Sequence, residues 1–94
     1  MKLRFNPFHK VDCRYGAPHG RHGNAIEDAP HPLDKLVVTH CGGDGFYDKG
    51  GAYWGHSKVY AVHTRDGSYC TYVGAISHKQ ALQFVEEASD AHVR

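Results

Sequence analysis

The chain has 94 residues, of which 40% are hydrophobic and 22% are charged, and its formal net charge is +1. A chain of this length forms one domain with a modest hydrophobic core, so we expect a single domain over residues 1–94. No apolar run reaches the roughly 18 residues that a transmembrane helix needs, and the first residues lack the apolar stretch of a secretory signal.

Residues 1–34 are predicted to be an irregular, basic segment. This stretch holds all four prolines of the chain, and residues 1–23 carry five Lys or Arg against one Asp, a local charge of +4. Proline and glycine favour turns and extended backbone over regular elements. Such uneven charge is compatible with an arm for an anionic partner and equally with a solvated, loosely ordered start.

The first regular element predicted is a strand at residues 36–41, "LVVTHC", which is rich in β-branched side chains. A loop with six glycines follows at residues 42–57. It is long for a structureless connection in a compact domain, which favours a functional loop or a packed Ω-type loop.

A β-hairpin is predicted at residues 58–75, "KVYAVHTRDGSYCTYVGA". Asp66-Gly67 is a residue pair typical of a type I′ turn between two strands. That turn fixes the register, with Thr64 opposite Tyr69 and each further pair one step away. Because side chains alternate along a strand, Tyr60 and Tyr69 fall on the same side of the hairpin.

The last predicted element is an amphipathic helix after Ser77. Ser77 is a favourable N-cap and Gln80 completes a capping box, and apolar residues then recur at helical spacing. The predicted fold class is α+β: a three-stranded antiparallel sheet with one C-terminal helix, in the order β-loop-β-β-α over residues 35–94.

The small residues Ala61 and Gly74 indicate on which side of the sheet the helix packs. They favour the side that also carries Val59, Cys70 and Tyr72, since small side chains allow close approach. That arrangement leaves Tyr60 and Tyr69 on an open face.

No catalytic, metal or cofactor site is predicted. The three cysteines form no C-x-x-C pair, which favours a reducing compartment. A fold stabilised by a metal on Cys13, His19, His22 and a fourth ligand stays an alternative, although no further pair has the spacing of a zinc site. His63 opposite Cys70 lacks an orienting Asp or Asn, and no nucleotide-binding or hydrolase motif occurs. We therefore expect a protein that is not an enzyme.

Aromatic and basic side chains form the candidate binding surface. Tyr, Trp and Arg are the residues that most often anchor protein interfaces, and the same residues can stack on and neutralise single-stranded nucleic acid. Alternatively, Trp54 simply fills a small core. The candidate partner-binding residues are Arg14, Tyr15, Arg21, Tyr53, Trp54, Tyr60 and Tyr69.

Two motifs carry a resemblance to known proteins. "CRYGAPHGR" at 13–21 and "YDKGGAYWG" at 47–55, followed by a tyrosine-bearing strand, an Asp-Gly turn and a helix, resemble a family of small phage- and prophage-encoded proteins. His19 stands where that family typically has Met. The resemblance implies an accessory role, such as inhibition of host defence by an anti-CRISPR protein, and it supplies no catalytic residues.

These observations lead to two functional hypotheses. The first is a small phage-derived binding protein in the host cytoplasm that inhibits a host protein, such as a CRISPR effector, by protein–protein contact. The alternative is a nucleic-acid-binding module that uses the basic N-terminus and an aromatic sheet face. The near-neutral total charge favours the first, and neither hypothesis involves a membrane.

Overall fold

The computed structural model describes residues 4–13, 36–42, 45–66 and 69–93. Within those ranges, no helix combines the length and apolar character needed to cross a membrane. The regular elements, in chain order, are strands β1 Leu36–Gly42, β2 Phe46–Tyr47, β3 Tyr53–Trp54, β4 Lys58–Thr64 and β5 Cys70–Ala75, and helix α1 His78–Val93.

The main sheet has three antiparallel strands in the order β1-β4-β5, so the predicted α+β architecture is confirmed. The register of β4 against β5 is the predicted one, with Tyr60 opposite Val73 and His63 opposite Cys70. At the closed end, the Thr64 N–H donates to the Tyr69 carbonyl at 3.1 Å. This bond agrees with the register that the Asp66-Gly67 pair predicted, although Gly67 itself lies outside the described residues.

Helix α1 begins at the predicted cap. The Gln80 N–H donates to Ser77 Oγ at 3.2 Å, and Gln80 Oε1 accepts the N–H of Ile76 at 2.8 Å. The Gln80 side chain thus reaches one residue further back than in the usual capping box, in which it bonds to the N-cap itself. Both bonds satisfy backbone donors and fix the entry into the helix.

The helix packs on the side of the sheet opposite to the predicted one. Ala81 and Val85 of α1 bury against the side that carries Tyr60, Val62 and Val73. The prediction was wrong because Gly74, one of the two small residues on which it depended, packs against a different element. A Cβ at Gly74 would overlap the ring of Phe46, so this glycine makes room for β2 and not for the helix.

The second side of the sheet is covered by the N-terminal segment and by β2. Its core contains one buried aromatic from β2 and two residues of the N-terminal segment. The buried residues of this core are Val11, Cys13, Phe46, Val59, Ala61, Cys70 and Tyr72. The sheet is therefore enclosed on both sides by apolar contacts.

Residues 4–13 are more ordered than the predicted irregular segment. The Gly74 N–H donates to the His9 carbonyl at 2.6 Å, and the Val11 N–H donates to the Tyr72 carbonyl at 3.1 Å, so the segment runs beside β5. On its other side, the Asp12 N–H donates to the Tyr47 carbonyl at 2.8 Å. The segment thus joins the main sheet to the small sheet, and the pattern of prolines did not predict this pairing.

Candidate functional site

The glycine-rich loop predicted at residues 42–57 contains a short hairpin, β2–β3, organised by one buried carboxylate. Asp48 Oδ1 accepts the N–H groups of Gly50 at 2.8 Å and Ala52 at 3.0 Å. Asp48 Oδ2 accepts the indole N–H of Trp54 at 2.7 Å. The Asp48 N–H in turn donates to the Ala52 carbonyl at 2.9 Å. One side chain therefore closes the turn and fixes the Trp54 ring.

Hydrogen bonding keeps Asp48 ionised in this position. The bond from the Trp54 indole lowers the pKa of the Asp48 carboxyl below its ordinary value of 3.8, and the backbone N–H groups of Ala52, Gly50 and Gly51 act in the same direction. Burial opposes them by disfavouring the charged form. Both carboxylate oxygens of Asp48 accept hydrogen bonds from within the hairpin, so the role of this side chain is structural.

The hairpin separates its aromatics into two pairs. Phe46 lies opposite Trp54 with parallel rings 6.3 Å apart, and Tyr47 lies opposite Tyr53 with tilted rings 5.0 Å apart. Phe46 is buried, whereas Trp54 is 39% exposed and Tyr53 is 60% exposed. The loop aromatics thus contribute partly to the edge of the core and partly to the surface.

An open groove of about 330 Å³ lies between the hairpin and α1. We call it the aromatic groove. Exposed Phe8 and Ile76 stand on its rim together with Tyr53. Its described lining is Phe8, His9, Phe46, Tyr53, Trp54, Gly55, His56, Ser57, Gly74, Ile76, Gln80 and Phe84.

The aromatic groove is apolar and carries little charge. None of its described lining residues is Lys, Arg, Asp or Glu. His9 stacks on Phe84 with ring centroids 3.7 Å apart. Burial lowers the pKa of His9, while the negative charge of Glu87 opposes this shift. The shift favours the neutral form of His9, so its stacked ring adds to the aromatic wall of the groove.

The site residues that were predicted from the sequence fall into three groups: residues that line the groove, residues outside the described ranges, and buried residues. Tyr53 and Trp54 come together in the aromatic groove. Arg14, Tyr15 and Arg21 lie outside the described residues.

The expectation that Tyr60 and Tyr69 are exposed was wrong, since they are only 3% and 2% exposed. Both belong to the core beneath α1, because the helix covers the side of the sheet that was expected to be open. His78 of α1 and His40 of β1 also place their rings beside Tyr60.

The cysteine and histidine candidates have structural partners. His63 Nε2 lies 3.0 Å from Thr39 Oγ1, and His63 Nδ1 lies 2.8 Å from the Thr64 carbonyl, so both ring nitrogens are occupied by groups other than the Cys70 thiol. Burial raises the pKa of the Cys41 thiol, which disfavours a reactive thiolate.

Of the three possible zinc ligands that the sequence suggested, only Cys13 lies within the described residues, and it belongs to no metal site there. Buried Cys13 donates its thiol to the Val11 carbonyl at 3.6 Å, while His19 and His22 lie outside the described ranges. Among the described side chains, no group of three His, Cys, Asp or Glu could hold a metal ion.

Three residues of this site were not among the site residues predicted from the sequence. Asp48 precedes "KGG", and an Asp two residues before a glycine is a signal for an Asx turn. Phe8 follows Asn6-Pro7, and the Phe8 N–H donates to Asn6 Oδ1 at 2.9 Å, another turn that the sequence signals. Nothing local marks Ile76 as exposed, because its position depends on how α1 docks.

Comparison with known proteins identified no relative. No protein-family model, no curated protein and no solved structure matches this chain. The function is therefore argued from the geometry of the aromatic groove.

Proposed function

We propose that this protein is a small binding protein that contacts another protein through the aromatic groove. The observation that carries the proposal is the clustering of exposed apolar side chains around one concave site: Phe8 is 57%, Tyr53 60% and Ile76 60% exposed. Grouped exposed apolar residues commonly mark interaction sites, whereas scattered single ones do not. Large aromatics in such a patch are typical anchors of protein interfaces.

The site is built on a rigid support, which suits binding. Asp48 fixes the hairpin, the capping box fixes the start of α1, and backbone hydrogen bonds from residues 9–12 hold the N-terminal segment beside both sheets. A preformed groove avoids part of the entropy cost of ordering an interface. The arrangement therefore supports stable association more than turnover.

The nature of the target follows from the resemblance of the sequence motifs to small phage proteins. On that basis the partner is a host protein in the host cytoplasm, such as a CRISPR effector, and binding inhibits it by steric contact. The alternative, a nucleic-acid-binding module, has less support. The tyrosines of its sheet face are buried, and the described lining of the groove carries no Lys or Arg to neutralise phosphate.

The proposal is tested by capturing partners from bacterial lysate with the tagged full chain, with and without nuclease. We expect a protein that is retained after nuclease treatment, is lost with Phe8→Ala or Ile76→Ala, and is kept with Leu82→Ala. Leu82 is the matched control, because it is exposed on α1 but does not line the groove. Capture that survives the groove substitutions, or that disappears with nuclease, would contradict the proposal.

A further inference from the structure

We infer that the aromatic groove receives one large uncharged side chain of the partner, aromatic or of the Leu and Met type. A backbone carbonyl beside the anchor accepts a hydrogen bond from the Gln80 amide. This inference rests on the proposed function and specifies the chemistry of the segment that the groove recognises.

The size of the groove fits one side chain. A cavity of about 150 Å³ holds a single benzene ring. The groove, at about 330 Å³, therefore admits one aromatic or long aliphatic side chain with its adjacent backbone. It stands near the lower end of the range typical of ligand pockets, about 300–1,000 Å³, and is too small for the face of a docked helix.

The walls of the groove favour an uncharged anchor. The ring of Tyr53 lies close to Gly45 and Gly55, where an added Cβ would come within 2.7 Å of Tyr53 Oη and 3.1 Å of Tyr53 Cε2, so glycine backbone supports this exposed ring. Neighbouring Trp54 is held by Asp48 and offers no free indole N–H. A charged side chain inserted among these rings would lose its hydration without gaining a counter-ion from the described lining.

Gln80 supplies the polar component of recognition. Its Oε1 accepts the Ile76 N–H at 2.8 Å, so the NH₂ end of the same amide, for which the described residues supply no partner, is the part left to serve a ligand. An amide NH₂ group donates and does not accept, which selects a carbonyl oxygen. A peptide bond next to an inserted side chain presents such an oxygen.

Trp54 permits a direct test, because it is the single tryptophan of the chain and lines the groove. Its fluorescence is measured during titration with peptides Ac-Gly-Gly-X-Gly-Gly-NH₂, where X is Phe, Leu, Met, Ser, Lys or Glu. We expect the Phe, Leu and Met peptides to bind at least about tenfold more tightly than the Ser, Lys and Glu peptides, because only the former bury a large apolar side chain.

The carbonyl contact is tested with Gln80→Glu. This variant keeps an oxygen for the Ile76 N–H and replaces the NH₂ donor by a second acceptor. We expect an unchanged or higher Tm, since Glu suits a capping box near a helix N-terminus. The affinity for the Phe peptide should fall about three- to tenfold, the effect of one lost hydrogen bond.

The outcomes separate the inference from the proposed function. Equal affinity for all six peptides, or Phe-peptide affinity unchanged in Gln80→Glu, would overturn the corresponding part of the inference, while partner capture that still depends on Phe8 and Ile76 would leave the proposed function standing. Loss of that dependence, with or without peptide selectivity, would instead reject the proposed function.

Discussion

The main sheet with α1 and the β2–β3 hairpin are stabilised in different ways. Every residue of β5 is buried, and apolar side chains cover both sides of the sheet. The hairpin has two residues in each strand, and its turn is held by the bonds to Asp48. The comparison shows that hydrophobic burial stabilises the main sheet, while a local polar network holds a hairpin that keeps large rings on the surface.

Two tyrosines make this contrast measurable. Tyr60→Ala removes a buried ring from beneath α1 and should lower the free energy of unfolding by about 3–5 kcal/mol, as other large-to-small aromatic substitutions in cores do. Tyr53→Ala removes an exposed ring from the hairpin and should change it by less than about 0.5 kcal/mol. Chemical denaturation followed by far-UV circular dichroism measures both, and similar losses would contradict the assignment of the two regions.

The contact between the two regions is tested at Gly74. Gly74→Ala places a methyl group where the Phe46 ring lies, and overpacking of this kind should cost about 1–3 kcal/mol. Adding Phe46→Leu should recover part of that loss in the double variant, because a smaller side chain leaves room for the methyl group. Thermal unfolding of the four proteins gives the coupling, and simple additivity would show that Gly74 and Phe46 do not meet.

Acid should open the hairpin before it unfolds the sheet. Because the pKa of Asp48 is lowered in the folded state, its contribution is fully present above its ordinary value of 3.8 and is lost as pH falls through the folded-state pKa. We therefore expect Trp54 fluorescence to change at acidic pH while far-UV circular dichroism retains the signal of the sheet and helix.

The control for this titration is Asp48→Asn. Its amide NH₂ cannot accept the Trp54 indole N–H in the place of Oδ2, so Trp54 should already be displaced at pH 7 and its fluorescence should no longer respond to acid. An unchanged acid response in Asp48→Asn would show that another group causes it.

The smallest expected effect is at Thr71 in β5. Thr71 Oγ1 is buried and has no hydrogen-bond partner among the described residues. Thr71→Val keeps the shape and removes the unsatisfied group, so it should be neutral or stabilising by up to about 1 kcal/mol. Thr39→Val is the control and should destabilise, since Thr39 Oγ1 contacts His63 Nε2 at 3.0 Å. A clear loss of stability in Thr71→Val would mean that its hydroxyl is satisfied.

Local signals allowed much of the main fold to be predicted. The register of β4 against β5 was predictable from the Asp66-Gly67 pair, and the start of α1 from Ser77 and Gln80, because each signal lies close in the chain to the feature it predicts. The side on which α1 packs could not be derived in the same way. It depends on Phe46 lying over Gly74, a contact between distant residues that no local pattern reports.

The candidate site was only partly predictable for the same reason. Tyr53 and Trp54 were evident from their glycine-rich surroundings. Phe8 and Ile76 reach the groove only after the N-terminal segment pairs with β5 and α1 docks on the sheet. The proposed binding surface combines three separate parts of the chain, so it can be recognised only in the folded protein.

The most direct test of the central claim compares two tyrosines of the hairpin for binding to the purified partner. Tyr53 and Tyr47 are 60% and 58% exposed and their rings are 5.0 Å apart, yet only Tyr53 lines the aromatic groove. Measured by calorimetry, Tyr53→Ala should weaken the affinity by about tenfold or more, as expected for an interface anchor, and Tyr47→Ala should leave it within about twofold. Equal effects of the two substitutions, or no effect of either, would contradict the claim that the groove is the binding site.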